Sequence, residues 1–181
     1  MKTLQSIISV FVLLICFSSC SNKNSLQNYI LANAENSGFS SSSIPKSVLK
    51  PIASQMNEAQ TEAYEAIERV NVLAFRVSET TKDAYTEENK KIKSILKQEQ
   101  YQELISMGSR GIVKYTGDEN SIDEIVIFYT DKNIGFAVAR IIGDDMTMNK
   151  FMELYQLVAQ QDFSEDGMDL GVFSNFINMA Q

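Results

Sequence analysis

Carboxylates are the groups in this sequence best placed to do chemistry, and several stand in adjacent pairs. Asp118-Glu119 and Asp144-Asp145 lie at the ends of apolar stretches, with Asp123-Glu124 close by. Clustered acids can hold a hard cation such as Ca²⁺ through oxygen ligands, so Asp118, Glu119, Asp144 and Asp145 are the candidate metal ligands. The plainer account is turn chemistry, together with negative charge near the N-terminus of a following helix. Asp162-x-Ser164-x-Asp166-Gly167 matches the first half of an EF-hand loop, but Phe173 stands where the bidentate Glu belongs, so the match is spurious. Paired acids also serve glycoside hydrolysis, which needs two carboxyls about 5–9.5 Å apart in a cleft. With no Trp and the aromatics at core spacing, nothing marks a sugar cleft.

The rest of the catalytic toolkit is missing from the sequence. There is no His, which removes the commonest general base and the commonest metal ligand. There is no glycine-rich phosphate loop and no G-x-S-x-G elbow. No catalytic residue is assigned, no cofactor is expected, and the chain is expected not to be an enzyme.

Of the two cysteines, one has a specific chemical setting. Lys2 is followed by the apolar run Ile7 to Phe17, and then by Phe17-Ser18-Ser19-Cys20. The run is about half of the ~20 apolar residues a spanning helix needs, which is the length of a signal-peptide core. The four residues ending at Cys20 resemble a bacterial lipobox, with Phe where Leu is usual. Cys16 follows bulky Ile15 and suits such processing poorly. Cys20 is therefore the lipidation candidate, residues 1–19 a lipoprotein signal peptide, and residues 20–24 a short lipidated tether. Two or more acyl chains hold a protein stably on a bilayer at about 0.8 kcal/mol per buried methylene. The expected partner through this anchor is the membrane, and the expected location is the cell envelope.

Without the leader, 162 residues remain, enough for one domain that buries about 68–70% of its unfolded surface. No second cysteine is left for a disulfide. The 23 acids then face 15 bases, a net charge near −8. An acidic domain without a basic patch argues against nucleic acid and against electrostatic binding to anionic lipid.

The elements that must position these groups can be read in order. Ser25 to Ser37 has helical spacing and Gly38 suits its left-handed end; Phe39 to Ile44, before Pro45, reads as an edge strand or a loop. Asn57 and Gln60 form a capping box for a helix with the stripe Ala59, Ala63, Ala66, Ile67 and Val70. Asn71 to Val77 is apolar on both faces, the mark of a central strand. Thr80-x-x-Asp83 predicts the cap of a long helical stretch reaching Gly108, broken near Gln98. On it, Lys90, Lys91, Lys93 and Lys97 form a solvated face, with Glu87 placed to pair with Lys91. Gly111 to Ile142 predicts a three-stranded meander, turning at Gly117–Asn120 and Asp131–Asn133. In sequence order, the meander brings the Asp118-Glu119 turn and the Asp144-Asp145 exit to one sheet edge. Thr147 caps a last helix that turns Met148, Phe151, Met152, Tyr155 and Val158 inward. The fold class is α+β: a two-layer, mostly antiparallel sheet of four to five strands with helices packed on one face. It occupies residues 25–161, and the apolar tail 162–181 packs on it or covers a partner-facing groove.

Four local phrases, Asn71-Val72-Leu73-Ala74-Phe75, Tyr101-Gln102-Glu103-Leu104, Gly135-Phe136-Ala137-Val138 and Ile142-Gly143-Asp144-Asp145-Met146, resemble an uncharacterised family of Bacteroidetes lipoproteins. That family is catalogued as a domain of unknown function. The resemblance spans roughly Leu26 to Gln161 and implies a leader plus one α+β domain, with no assigned activity and no catalytic residues to carry over. Surface-exported lipoproteins of the Bacteroidetes often carry acidic residues just after the cysteine. Ser21 to Ser25 have none, which favours the periplasmic leaflet of the outer membrane. The leading functional expectation is a non-enzymatic interaction or signalling module with an envelope protein partner. The alternative is a small-ligand or divalent-cation binder at the acidic sheet edge; a carboxylate-based hydrolase ranks last.

Overall fold

The computed structural model describes residues 25–46 and 56–159. Cys20, the leader and tether, and the tail 162–181 lie outside them. The elements are α1 (Leu26–Asn33), β1 (Phe39–Pro45), α2 (Glu58–Glu65), β2 (Ile67–Arg76), α3 (Lys82–Ile95), β3 (Gln102–Ser106), β4 (Gly111–Asp118), β5 (Ser121–Asp131), β6 (Gly135–Gly143) and α4 (Met148–Ala159), with a 3₁₀ turn at Gly108–Arg110. The six strands form one antiparallel sheet in the order β1-β2-β6-β5-β4-β3.

Local chemistry sets most of the element ends. Ser25 Oγ accepts from the Asn28 amide at 3.2 Å to start α1, and Gly38 follows with φ 85°. Asn57 and Gln60 make the expected reciprocal cap on α2, at 2.9 and 3.1 Å. The box expected from Thr80 and Asp83 does not form, and α3 begins at Lys82. Thr81 is turned inward instead: its Oγ1 accepts from the Ser78 amide at 2.9 Å and donates to the Arg76 carbonyl at 2.7 Å.

Two expected helical segments are strands, and β-bulges explain both. Ile67 and Val70 belong to β2, where the register slips between Ile67 and Arg69. The extra residue puts two apolar side chains three apart on one face, which imitates helical spacing. Leu104 and Ile105 belong to β3, where the register slips between Glu103 and Ile105 and removes the alternation that marks a strand. With β3 and β1 both paired, the sheet has six strands rather than four to five.

The layering also differs from the expectation, because helices cover both faces. Residues paired across antiparallel strands share a face. Leu73, Phe75, Phe136, Val138, Val126 and Phe128 point to one face and pack with Leu26 and Ile30 of α1 and Ile92 and Ile95 of α3. Ile67, Ile125, Val113 and Tyr115 point to the other and pack with Ala63 and Tyr64 of α2 and Phe151 and Leu154 of α4. Central strands that are apolar on both sides need such double cover. On the first face, Phe75 stacks on Phe136 at 5.3 Å and meets Phe39 edge-on at 4.9 Å. Thr147 caps α4 as expected, through Oγ1 to the Lys150 amide at 3.2 Å. Met148 and Phe151 turn inward as expected, joined by Leu154 and Leu157, while Met152 and Tyr155 are exposed and the Val158 side chain lies outside the described residues. Two apolar stripes were available at helical spacing, and docking on α2 selects one.

Candidate functional site

The face carrying α1 and α3 divides by register into an apolar half and a polar half. Leu73, Val138 and Phe128 form one row across β2, β6 and β5, and Phe75 and Phe136 lead the next; these rows carry the aromatic core. The two rows toward the other end of the strands are different. Asn71, Arg140, Val126 and Lys114 form one, and Arg69, Ile142, Glu124 and Thr116 form the other.

An ion pair holds the centre of that polar half. Arg140 Nε donates to Glu124 Oε2, with the two side chains only 15% and 9% exposed. The Tyr101 hydroxyl lies against Glu124, and burial first, then that carboxylate's charge, pushes its pKa up. Glu124 is thus fixed from two sides, and Arg140 is held upright between two cavities. A cavity of about 400 Å³ opens between α1 and strands β1, β2 and β6, walled by Gln27, Ile30, Ser43, Arg69, Asn71 and Arg140. A second, of about 480 Å³, is walled by Gln27, Glu99, Tyr101, Asp123, Glu124 and Arg140. Gln27 and Arg140 line both, so the two are halves of one groove. Ser43 Oγ donates to Asn71 Oδ1 at 3.1 Å. Arg69, Asp123 and Glu99 are exposed, and their side chains make no hydrogen bond or ion pair among the described residues. One half of the groove therefore offers arginine and amide donors, and the other offers free carboxylates.

A smaller cavity of about 280 Å³ has an apolar floor of Leu96, Ile112 and Phe128 and a rim of Lys93, Lys97 and Lys114. Thr130 closes one side and accepts from Asn89 Nδ2 at 2.6 Å, while the Tyr85 hydroxyl lies 2.7 Å from it. Asn89 Oδ1 is buried and has no hydrogen-bond partner among the described residues. Of the predicted lysine face, Lys93 and Lys97 reach this rim. Lys91 is held at 3.1 Å from Glu87, as expected, and at 2.8 Å from Glu88.

The predicted acidic edge is assembled by the backbone but does not converge as side chains. The Met148 amide donates to the Glu119 carbonyl at 2.9 Å, and the Ile122 amide to the Met146 carbonyl at 2.8 Å. The turn and the exit therefore do share one end of the sheet. Asp118 caps its own turn through the Asn120 amide at 3.0 Å, and Lys150 donates to the Asp145 carbonyl at 2.9 Å. Asp118, Glu119, Asp144 and Asp145 are all exposed, and among the described residues no group of three or more acids, His or Cys could hold a metal ion. Glu124, counted with that edge, faces Arg140 instead. The lipidation candidate Cys20 lies outside the described residues.

Sequence reading missed Arg69, Asn71 and Arg140. Arg69 stood in a segment read as helix. A signal for Arg140 was present: a lone arginine inside Ile134–Ile142, opposite a strand with a lone buried glutamate, is the pattern of a paired charge in a central sheet.

Residues 29–154 of this chain match the family described as Domain of unknown function (DUF4252). The chain belongs to this family. The match agrees with the resemblance to an uncharacterised family and runs from α1 into α4. The DUF4252 span thus includes every strand, and Arg69, Asp123, Glu124 and Arg140 with them; Gln27 lies just before it. No curated protein matches the chain, and no solved structure does.

Proposed function

We propose that this DUF4252 chain is a membrane-tethered, non-enzymatic binding module of the cell envelope, anchored by acyl chains on Cys20 and working through the groove around Arg140. One observation carries the reading. Half of a sheet face that is otherwise sealed by helices stays polar and open, and exposed charges without partners among the described residues stand at both of its ends. Such a surface suits recognition. Glu124 is committed to Arg140 and Tyr101, which leaves Asp123 and Glu99 as the free carboxylates of the groove among the described residues. Of the exposed large apolar side chains, Leu31 and Met107 stand on separate segments, while Met152 and Tyr155 are neighbours on α4. The lipobox phrase at Cys20 supports the envelope setting, with the periplasmic leaflet of the outer membrane as the place of action and an envelope protein as partner.

The test is photo-crosslinking in living cells from a reactive residue at Gln27 in the full-length chain. A dominant envelope partner, lost when Cys20→Ala is carried behind a soluble leader, is the expected result. Equal capture by the tethered and untethered forms, or none by either, would remove the tethered-module reading.

A further inference from the structure

The arrangement of charge along the groove specifies its ligand more closely, on the reading that the groove is the working surface. Arg140 sits at the middle with its charge answered by Glu124. Arg69 stands in the same row as Glu124, two strands away, which is about 10 Å at ordinary strand spacing. Among the described residues the cation at one end is thus unpaired, and so are the carboxylates of Asp123 and Glu99 at the other. We propose that the groove binds a small zwitterion, its anionic oxygens between Arg69 and Arg140 and its ammonium between Asp123 and Glu99.

A singly charged ligand fits this charge pattern poorly. An anion alone would meet Arg69 but would lie in the field of three carboxylates and of an acidic chain with net charge −7. A cation alone would leave Arg69 unanswered and would approach Arg140. Opposite charges on one ligand satisfy both ends at once, and guanidinium donors recognise carboxylate or phosphate oxygens in pairs. Asn71 and Gln27 add amide groups along the wall, where they can bond a backbone amide or an ester between the two charges. Two sources share this chemistry: the termini of a short peptide, and the phosphoethanolamine headgroup of a lipid.

The experiment is titration of the full chain in nonionic detergent, followed by calorimetry and by amide NMR shifts, with four probes. These are the dipeptide Ala-Ala, its N-acetyl form (anion only), its C-amide form (cation only), and phosphoethanolamine. At least one zwitterion should bind tenfold or more tightly than either blocked dipeptide, with shifts at Arg69, Asn71 and Asp123. Tighter binding of Ala-Ala assigns the peptide source, and tighter binding of phosphoethanolamine assigns the headgroup. Arg69→Ala should weaken the zwitterion and the N-acetyl form while sparing the C-amide form, and Asp123→Asn should do the reverse. Both side chains are exposed, and the comparison of probes on the unaltered chain needs neither substitution. Failure of both zwitterions to bind more tightly than the blocked dipeptides, or no groove shifts with either zwitterion, would overturn the proposal. If crosslinking from Gln27 still captured a partner in that case, the binding module would stand and only its ligand class would fall. Zwitterion binding without a cellular partner would do the opposite.

Discussion

The Arg140–Glu124 pair is the residue on which the polar half of the sheet turns. Burying two charges costs several kcal/mol of lost hydration each, which their attraction offsets only while both remain. Removing one partner strands the other among Val126, Ile142 and Tyr101. Glu124→Gln is therefore expected to lower stability by about 3 kcal/mol, a figure discounted for the partial exposure of Arg140. Combining it with Arg140→Met should cost clearly less than the two single changes added together. Urea unfolding of the four forms measures this; simple additivity would mean that the pair carries no coupling. The pair was half legible in the sequence. Each charge is conspicuous inside an apolar strand, but which residue faces which depends on register between β5 and β6, and register is a property of the assembled sheet.

At the scale of elements, the contact between β2 and β6 holds the two halves of the sheet together. Gly135 opens β6 with φ 129°, and a Cβ there would come 1.8 Å from the Phe75 carbonyl oxygen of β2. Both the left-handed backbone and the close approach exclude any other residue. Gly135→Ala should destabilise the chain by about 3 kcal/mol or more, because strain and clash with fixed backbone add. A thermal midpoint within a degree or two of the parent would show that β2 moves aside at little cost. The two bulges lie at this scale as well. They shift the phase of β2 and β3 by one residue, and a phase shift is what made strand segments read as helix from spacing alone. The helices with an independent chemical cap, α1, α2 and α4, were placed from sequence near their true starts.

For the molecule as a whole, two tyrosines of the α1–α3 face, Tyr101 buried and Tyr29 half-buried, set an alkaline limit. Tyr29, on α1, donates to Glu88 of α3 at 2.5 Å. Its burial, then that bond and the carboxylate's charge, raise its pKa far above the ordinary 10. Tyr101 is raised in the same sense by burial and by Glu124. Below pH 10 both tyrosines are protonated whether the chain is folded or not, and the stabilisation is fully present. Above pH 10 the unfolded chain releases these protons while the folded one keeps them, so stability falls as pH rises toward the folded values. The urea midpoint should be level from pH 8 to 9.5 and drop by pH 11. Tyr29→Phe should be weaker at pH 8 but lose less over that interval. A midpoint unchanged at pH 11 would contradict this account.

Composition and pattern by themselves determined the α+β class, the antiparallel meander, the central strands and the caps of α2 and α4, while four local phrases carried the resemblance to the family. These follow from local chemistry: alternation, turn residues and side chains that bond their own backbone. The sequence also carries the phrase ending at Cys20 that resembles a lipobox, from which the membrane tether is proposed. Tertiary structure alone decided that helices cover both faces, that bulged segments are strands, which stripe of α4 is buried, and that Arg69, Arg140, Asp123 and Glu124 share a groove. Each of these depends on which distant residues stand opposite one another. Pairing across a sheet joins positions as far apart as Arg69 and Ile142, and no local spacing records it.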